Sequence, residues 1–242
     1  EIIISAIFIA ACGGGGGAGG SSTPSEPSPT SSLSSSSSSV LIDTVVTLTW
    51  SSTNATSCTA SGTWSGTKAT SGSEDVTIVT PGNNPFTITC SGAGGSQAAS
   101  VNVEGYRNTE GVSVDGYIRQ ADIFIDTNDS YTADSGEDAT TSDNDGKFTI
   151  KYSDGNLISL GGTDLDSGNA LDNLLIVHKL TGHSNFKAIT PVTSVAAFMA
   201  DATLVNAALG IDASLDIAIV DPVDGKGDGG INDYLYEKGN QL

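Results

Sequence analysis

Asp126 to Glu137, DTNDSYTADSGE, is the stretch whose residue types and spacing could do chemistry. Counted from Asp126, side-chain oxygens fall at position 1 (Asp126), 3 (Asn128), 5 (Ser130), 9 (Asp134) and 12 (Glu137), with the Thr132 main-chain carbonyl at position 7. A hard cation such as calcium takes about six to eight oxygen ligands, and a tightly wound loop turns alternate residues inward to supply them. A carboxylate at position 12 then closes the shell with both its oxygens. Asp126, Asp129, Asp134, Glu137, Asp138, Asp143 and Asp145 follow one another with no basic residue among them. Without a cation their mutual repulsion opposes compaction. The competing reading is a solvated acidic loop that holds no metal.

This ligand spacing is that of an EF-hand loop, with one departure: Tyr131 stands at position 6, where a glycine makes the sharp turn. The flanking segments also read as strands instead of helices. Asp143 and Asp145, in TTSDNDGKFTI, are placed to add ligands from the next loop. The unit GYIRQADIFIDTNDSYTADSGEDATTSDNDGKFTI resembles the small β-sandwich modules of carboxypeptidase-regulatory-like and B-repeat type in bacterial surface proteins. The resemblance implies that calcium is bound there and stiffens the module.

Other chemistry is poorly provided for. His178 and His183 are the only histidines, with no Ser or Cys nucleophile motif beside them, and there is no P-loop, HExxH or GxSxG. His178 lies in the apolar run from Leu171 to Leu180 and is expected to be packed, not reactive. A second acidic stretch, DPVDGKGDGGIND, offers Asp221, Asp224, Asp228 and Asp233 among glycines. It fits no ligand template and reads as a surface loop.

Nine basic residues stand against 28 acidic ones, a net charge of −19. That balance excludes non-specific nucleic-acid binding, which needs cations to neutralise phosphates. It equally disfavours an electrostatic hold on anionic lipid. Only five of the acids (Glu1, Glu26, Asp43, Glu74, Asp75) and one base, Lys68, precede Glu104. Cation binding therefore belongs to the second part of the chain.

The chain opens on EIIISAIFIAAC, an apolar run too short for a membrane span of about 20 residues but suited to a signal-peptide core. Ile9-Ala10-Ala11-Cys12 resembles the lipobox of bacterial lipoproteins. The resemblance implies a lipidated Cys12 as the mature N-terminus, attachment to a membrane through that lipid, and a place on the bacterial cell surface (outer membrane) or outside the cell. Glu1 stands where a methionine and basic residues would begin such a signal, so the first residues are expected to be missing. With Cys12 assigned to lipid, Cys58 and Cys90 remain as a candidate disulfide in an oxidising compartment. Two buried free thiols are the alternative.

Residues 13–40 are nearly all Gly, Ser, Thr and Pro, a composition that cannot bury a core, and read as a disordered linker spanning ~30 Å. Beyond it the apolar pattern has period two: Val46, Leu48 and Trp50; Val76 and Ile78; Phe86, Ile88 and Cys90; Ala99, Val101 and Val103. Turn clusters between these runs predict a small sandwich over 41–104. TLTWSSTNATSCTASGTWSG and FTITCSGAGGS resemble the immunoglobulin-like domains of bacterial exported proteins. The first cysteine follows the tryptophan, so the bridge must join other strands than in antibodies; the apolar face holding Cys90 suits an inter-sheet bridge. Trp50 and Trp64 are expected in the core, an exposed sugar-stacking platform being the alternative.

Residues 105–160 read as a second, calcium-binding β-module, and 161–242 as a mixed, helical segment. Pro191 could start a helix whose apolar face holds Val192, Val195, Ala196, Phe198 and Met199 and continues through Leu204, Ala208 and Leu209 to Gly210. INDYLYEKGNQL reads as the beginning of another helix. The expected fold is therefore mainly β: tandem β-sandwich modules after a Ser/Gly linker, with a small α-rich C-terminal segment. The function this favours is a non-enzymatic, structural or adhesive surface lipoprotein, a calcium-stiffened stalk or filament-type subunit that self-associates or meets a surface polymer. The competing function is an accessory module, or fragment, of an extracellular polysaccharide- or protein-degrading enzyme.

Overall fold

The computed structural model describes residues 25–172, 175–180, 186–199, 202–212, 214–217, 219–224 and 235. The signal-like segment with Cys12, most of the glycine-rich stretch, His183, Asp228, Asp233 and the terminal INDYLYEKGNQL except Leu235 lie outside them. Among the described residues no helix is long and apolar enough to cross a membrane.

Eight strands build the first sandwich: β1 (Thr30–Ser35), β2 (Ser39–Leu41), β3 (Thr44–Thr53), β4 (Ser57–Gly62), β5 (Gly66–Lys68), β6 (Ser71–Ile78), β7 (Gly82–Gly92) and β8 (Gly95–Tyr106). One sheet has the order β1-β3-β6 and the other β2-β8-β7-β4-β5. The chain changes sheets between β1, antiparallel to β3, and β2, parallel to β8. The period-two residues face inward as expected: Leu48, Ile78, Phe86, Ile88, Cys90 and Val103 are fully buried. Trp50 and Trp64 meet edge to face at 5.5 Å, and Trp64 meets Phe86 at 6.2 Å. Both indole N–H groups donate to main-chain carbonyls, Trp50 to Ala69 and Trp64 to Thr87, so the rings bury without an unpaired donor. Gly72 opposes Trp50 across the ladder; a Cβ there would lie 3.0 Å from the indole.

The linker ends earlier than its composition suggests, because Thr30–Ser35 and Ser39–Leu41 are strands and not disordered chain. An edge strand on a formed sheet needs little apolar content. Leu33 and Val40 pack on the core, and the outward hydroxyls of β1 pair across the ladder, Thr30 with Thr53 at 2.6 Å and Ser32 with Ser51 at 2.8 Å. The Cys58–Cys90 disulfide is formed, with both cysteines buried in this core. It is not an inter-sheet bridge: the two residues are direct partners on adjacent strands β4 and β7, with Cα atoms 4.0 Å apart. That separation is near the close, non-hydrogen-bonded spacing of antiparallel pairs.

Only Arg107 separates β8 from the next strand. The second unit holds β9 (Asn108–Ser113), β10 (Ile118–Arg119), β11 (Asp122–Asp126), β12 (Ala139–Thr141), β13 (Lys147–Lys151), β14 (Gly155–Leu160), β15 (Thr163–Asp164), β16 (Leu175–Leu180) and β17 (Phe186–Ile189). Sheets β12-β11-β14-β16 and β13-β9-β17 pack face to face over Ile123, Ile125, Phe148, Ile150, Leu157, Leu180 and Ile189, while β10 pairs with β15. This module does not end at residue 160. Strand β16 completes one sheet beside β14, and β17 completes the other in parallel beside β9. The Leu171–Leu180 run thus resolves as strand over Leu175–Leu180, where it pairs along its length with β14.

Helices α1 (Pro191–Met199) and α2 (Ala202–Leu209) form in this stretch. Phe198 and Met199 are 62% and 52% exposed, so the expected apolar face is buried only towards its start, at Val192. Pro191 opens α1 as expected. Thr190 Oγ1 accepts the Thr193 N–H and Thr193 Oγ1 accepts the Thr190 N–H, a reciprocal cap. Thr190→Ala is expected to cost about 1–2 kcal/mol, read as a lower urea midpoint of the second unit. Gly210 ends α2 at φ 71°, where the Ile211 N–H reaches the Asn206 carbonyl at 2.7 Å.

Candidate metal centre

The Asp126–Glu137 loop leaves the buried end of β11. Asp126 is 1% exposed, and its carboxylate organises the turn: Oδ1 accepts the N–H groups of Asn128 and Ser130, and Oδ2 that of Tyr131 at 2.9 Å. The sharp turn is made without glycine. Tyr131 takes φ 57° and Asp129 φ 60°, the left-handed region that bulky residues seldom enter. Asn156 on β14 holds Asp129 from below, donating to Oδ1 at 2.7 Å.

Above the turn, oxygens gather around the Ser130 hydroxyl. It lies 2.9 Å from Asp134 Oδ2, 3.1 Å from the Thr132 carbonyl and 3.1 Å from Thr132 Oγ1. Asn128 Nδ2 donates to the same Asp134 oxygen at 2.9 Å, and Asn128 Oδ1 accepts the Ser130 N–H. These donors hold the Asp134 carboxyl below the usual range, Asn128 contributing most and Ser130 next. Glu137 is turned elsewhere: Oε1 accepts from Thr127 N and Oγ1, and Oε2 from Asp134 N.

No protein-family model and no curated protein matches this chain.

The donor chemistry of the loop fits a hard cation, being oxygen throughout, and positions 3, 5, 7 and 9 already meet. Positions 1 and 12 do not join them, since both carboxylates serve loop donors. Among the described residues no three His, Cys, Asp or Glu side chains are grouped so as to hold a metal.

Asp143 and Asp145 lie elsewhere, contrary to their expected part in the shell. Thr141 pairs with Asp122, the opposite end of β11 from Asp126, which puts Asp143 more than ~13 Å along the strand from the loop. There Asp143 Oδ1 accepts the N–H groups of Asp145 and Lys147 and shapes the β12–β13 turn. Asp145 instead belongs with Asp221 and Asp224 around Tyr117. The Tyr117 hydroxyl donates to Asp221 Oδ2 at 2.9 Å, and its pKa is driven strongly upward by burial first and then by Asp221. Asp221 is thus anchored to the second unit, not free in a surface loop; Oδ1 also accepts the Val223 and Asp224 N–H groups. Sequence reasoning missed Thr127, which engages Glu137, and Asn156, which steadies Asp129. Thr127 was legible as the residue after position 1, whereas nothing local marks Asn156.

Trp50 and Trp64, each 6% exposed, offer no sugar-stacking platform. His178 is packed on β16 opposite Leu157. Burial, then Lys187, lowers its pKa to about 4, against a smaller opposing pull from Asp216.

Proposed function

We propose that this chain is a structural or adhesive component of a bacterial cell surface, held by lipid on Cys12 and stiffened by calcium in the Asp126–Glu137 loop. It serves as a stalk or assembling subunit whose partners are copies of itself or a surface polymer. The observation that carries the calcium reading is the gathering of Asn128, Ser130, Thr132 and Asp134 oxygens above a left-handed Tyr131. Binding requires Asp126 and Glu137 to exchange some of their amide partners for the ion, which favours the weak affinity of extracellular modules, about 10⁻⁴–10⁻³ M.

The stalk reading draws support from the joint between the sandwiches. Strand β8 passes into β9 across a single residue, Lys151 bridges to Glu104 at 3.1 Å and lies 5.4 Å from the Tyr106 ring centre, and the Tyr152 N–H bonds the Arg107 carbonyl. An exposed ion pair alone contributes little, so the rigidity rests on the short connection and its main-chain bond. The enzyme-accessory reading has less behind it, since its aromatic platform would need the buried tryptophans.

Calcium at about fifty times Kd should stabilise the second unit by roughly 2 kcal/mol through mass action. Calorimetric titration of the full chain should show calcium heat that magnesium reproduces poorly. Thermal unfolding should rise with calcium beyond the effect of equal ionic strength, and Glu137→Gln should remove most of that rise. No calcium-specific heat at millimolar concentration would sink the reading.

A further inference from the structure

The chain threads the first sandwich from pole to pole. Glu26 and Pro27 enter beside the β7–β8 turn, so close to Gly94 that a Cβ there would overlap the Pro27 carbonyl oxygen. The same pole holds Thr53, the partner of Thr30, and Asn54, whose Nδ2 donates to the Ser28 carbonyl at 3.3 Å. Strands β1 and β2 then run towards the opposite pole, where Leu41 pairs with Tyr106 at the end of β8. There the chain leaves through Arg107 into the second unit. Entry and exit thus lie at opposite ends of β8, a strand of 12 residues that spans ~40 Å.

A pull that separates entry from exit therefore acts along the strands, and two ladders stand across it. Strand β1 is held against β3 by antiparallel pairs from Thr30–Thr53 to Ser35–Leu48. Strand β2 is held against β8, the exit strand itself, in parallel from Ser39–Glu104 to Leu41–Tyr106. Main-chain bonds flank that second ladder: the Glu104 N–H donates to the Ser38 carbonyl and the Ile42 N–H to the Tyr106 carbonyl, each at 2.9 Å. Such a pull slides β2 one way and β8 the other. Bonds between strands run across the strand direction, so sliding loads them together, whereas a force at one strand end breaks them singly.

The composition of the entry stretch fits this duty. Ser31, Ser32 and Ser34 bring little apolar surface, but their hydroxyls donate across to the Gln97, Ser51 and Thr49 carbonyls. Ser36 Oγ accepts the Thr47 N–H at 3.0 Å. These bonds add cross-ties to the strand that takes the pull first.

We infer that the first sandwich is a tension-transmitting link, built to hold when its N-terminal attachment and the second unit are drawn apart. This deepens the stalk reading above and rests on it only for the origin of the pull. The chain before Thr30 supplies the fixed end, and a partner or surface held by the second unit supplies the load.

Single-molecule stretching of the full chain tests this along two axes, with Cys12 as one handle in both. The second handle is the thiol introduced by Arg107→Cys at the exit pole, or by Ser96→Cys at an exposed position near the entry pole. Only the first sandwich lies between either pair of handles. The pull from residue 107 shears both ladders, and the pull from residue 96 peels them from their ends. Resistance to pulling is set by the barrier to unfolding, so the force should be several-fold higher from 107 than from 96 at one pulling rate. Ile42→Pro deletes the N–H bonded to Tyr106 and suits a turn ahead of left-handed Asp43 at φ 64°. It should lower the force from 107 and leave that from 96 unchanged, which a general loss of stability would not do. Equal forces along the two axes overturn the inference, as does an Ile42→Pro chain weakened alike along both. The lipid anchor fails separately, on an unmodified Cys12 thiol in native protein, and that result leaves the difference between the axes standing.

Discussion

Reduction of the Cys58–Cys90 bridge is expected to destabilise the first sandwich by roughly 3–4 kcal/mol, the chain-entropy value for a cross-link at a sequence separation of 32. The bridge ties β4 to β7 in the interior of the five-stranded sheet, so its loss frees the chain that includes β5 and β6. Both tryptophans of the protein lie in this core, and their fluorescence therefore reports the first sandwich alone. With a urea dependence of about 1–3 kcal/mol per molar, the fluorescence midpoint should fall by more than ~1 M on adding a thiol reductant. Tyrosine signals from the second sandwich should keep their midpoint. A tryptophan transition indifferent to reductant would mean that the bridge contributes nothing, and labelling of both thiols in the unfolded, unreduced protein would mean that it is not formed.

Acid should weaken the second sandwich through His178. Burial between the sheet and its neighbours, with Lys187 close by, lowers its folded pKa to about 4, whereas the unfolded chain takes up the proton near the ordinary 6.5. The stabilisation is therefore complete above pH ~6.5 and is lost as pH falls towards ~4, amounting to roughly 3 kcal/mol across that window. Asp134 acts lower down: its depressed carboxyl adds stability above the usual carboxylate range that is lost only below it. The two are separable. Urea unfolding followed by tyrosine signals should show a midpoint at pH 4.5 well below that at pH 7, and His178→Leu should flatten the difference. An unchanged slope in that variant would assign the acid sensitivity to the carboxylates.

The sequence by itself determined the features whose cause is local. Period-two apolar residues such as Val46, Leu48 and Trp50 specify which face of a strand is buried, because one residue of slip would turn them all to solvent. The acidic loop declared its ligand types and spacing, and Pro191 and Gly210 marked where helix begins and ends, because each depends on a few neighbouring residues. What only the tertiary structure decided depends on residues far apart in the chain. The serines of Thr30–Ser35 become strand because a formed sheet offers them a ladder, not because their side chains ask for one. The disulfide lies within a sheet because β4 and β7 are neighbours in an order that no spacing encodes. The second module runs on to β16 and β17 because its two sheets each need a distant strand to complete them.

The loop divides the same way. Its oxygens converge for local reasons, through Asp126 and Ser130. The exclusion of Asp143 and Asp145 follows from the antiparallel register of β11 and β12, which sends the next turn to the opposite end of the sheet. Tyr131 could be read only as a departure from pattern until the fold placed Phe198, a residue distant in sequence, against its ring.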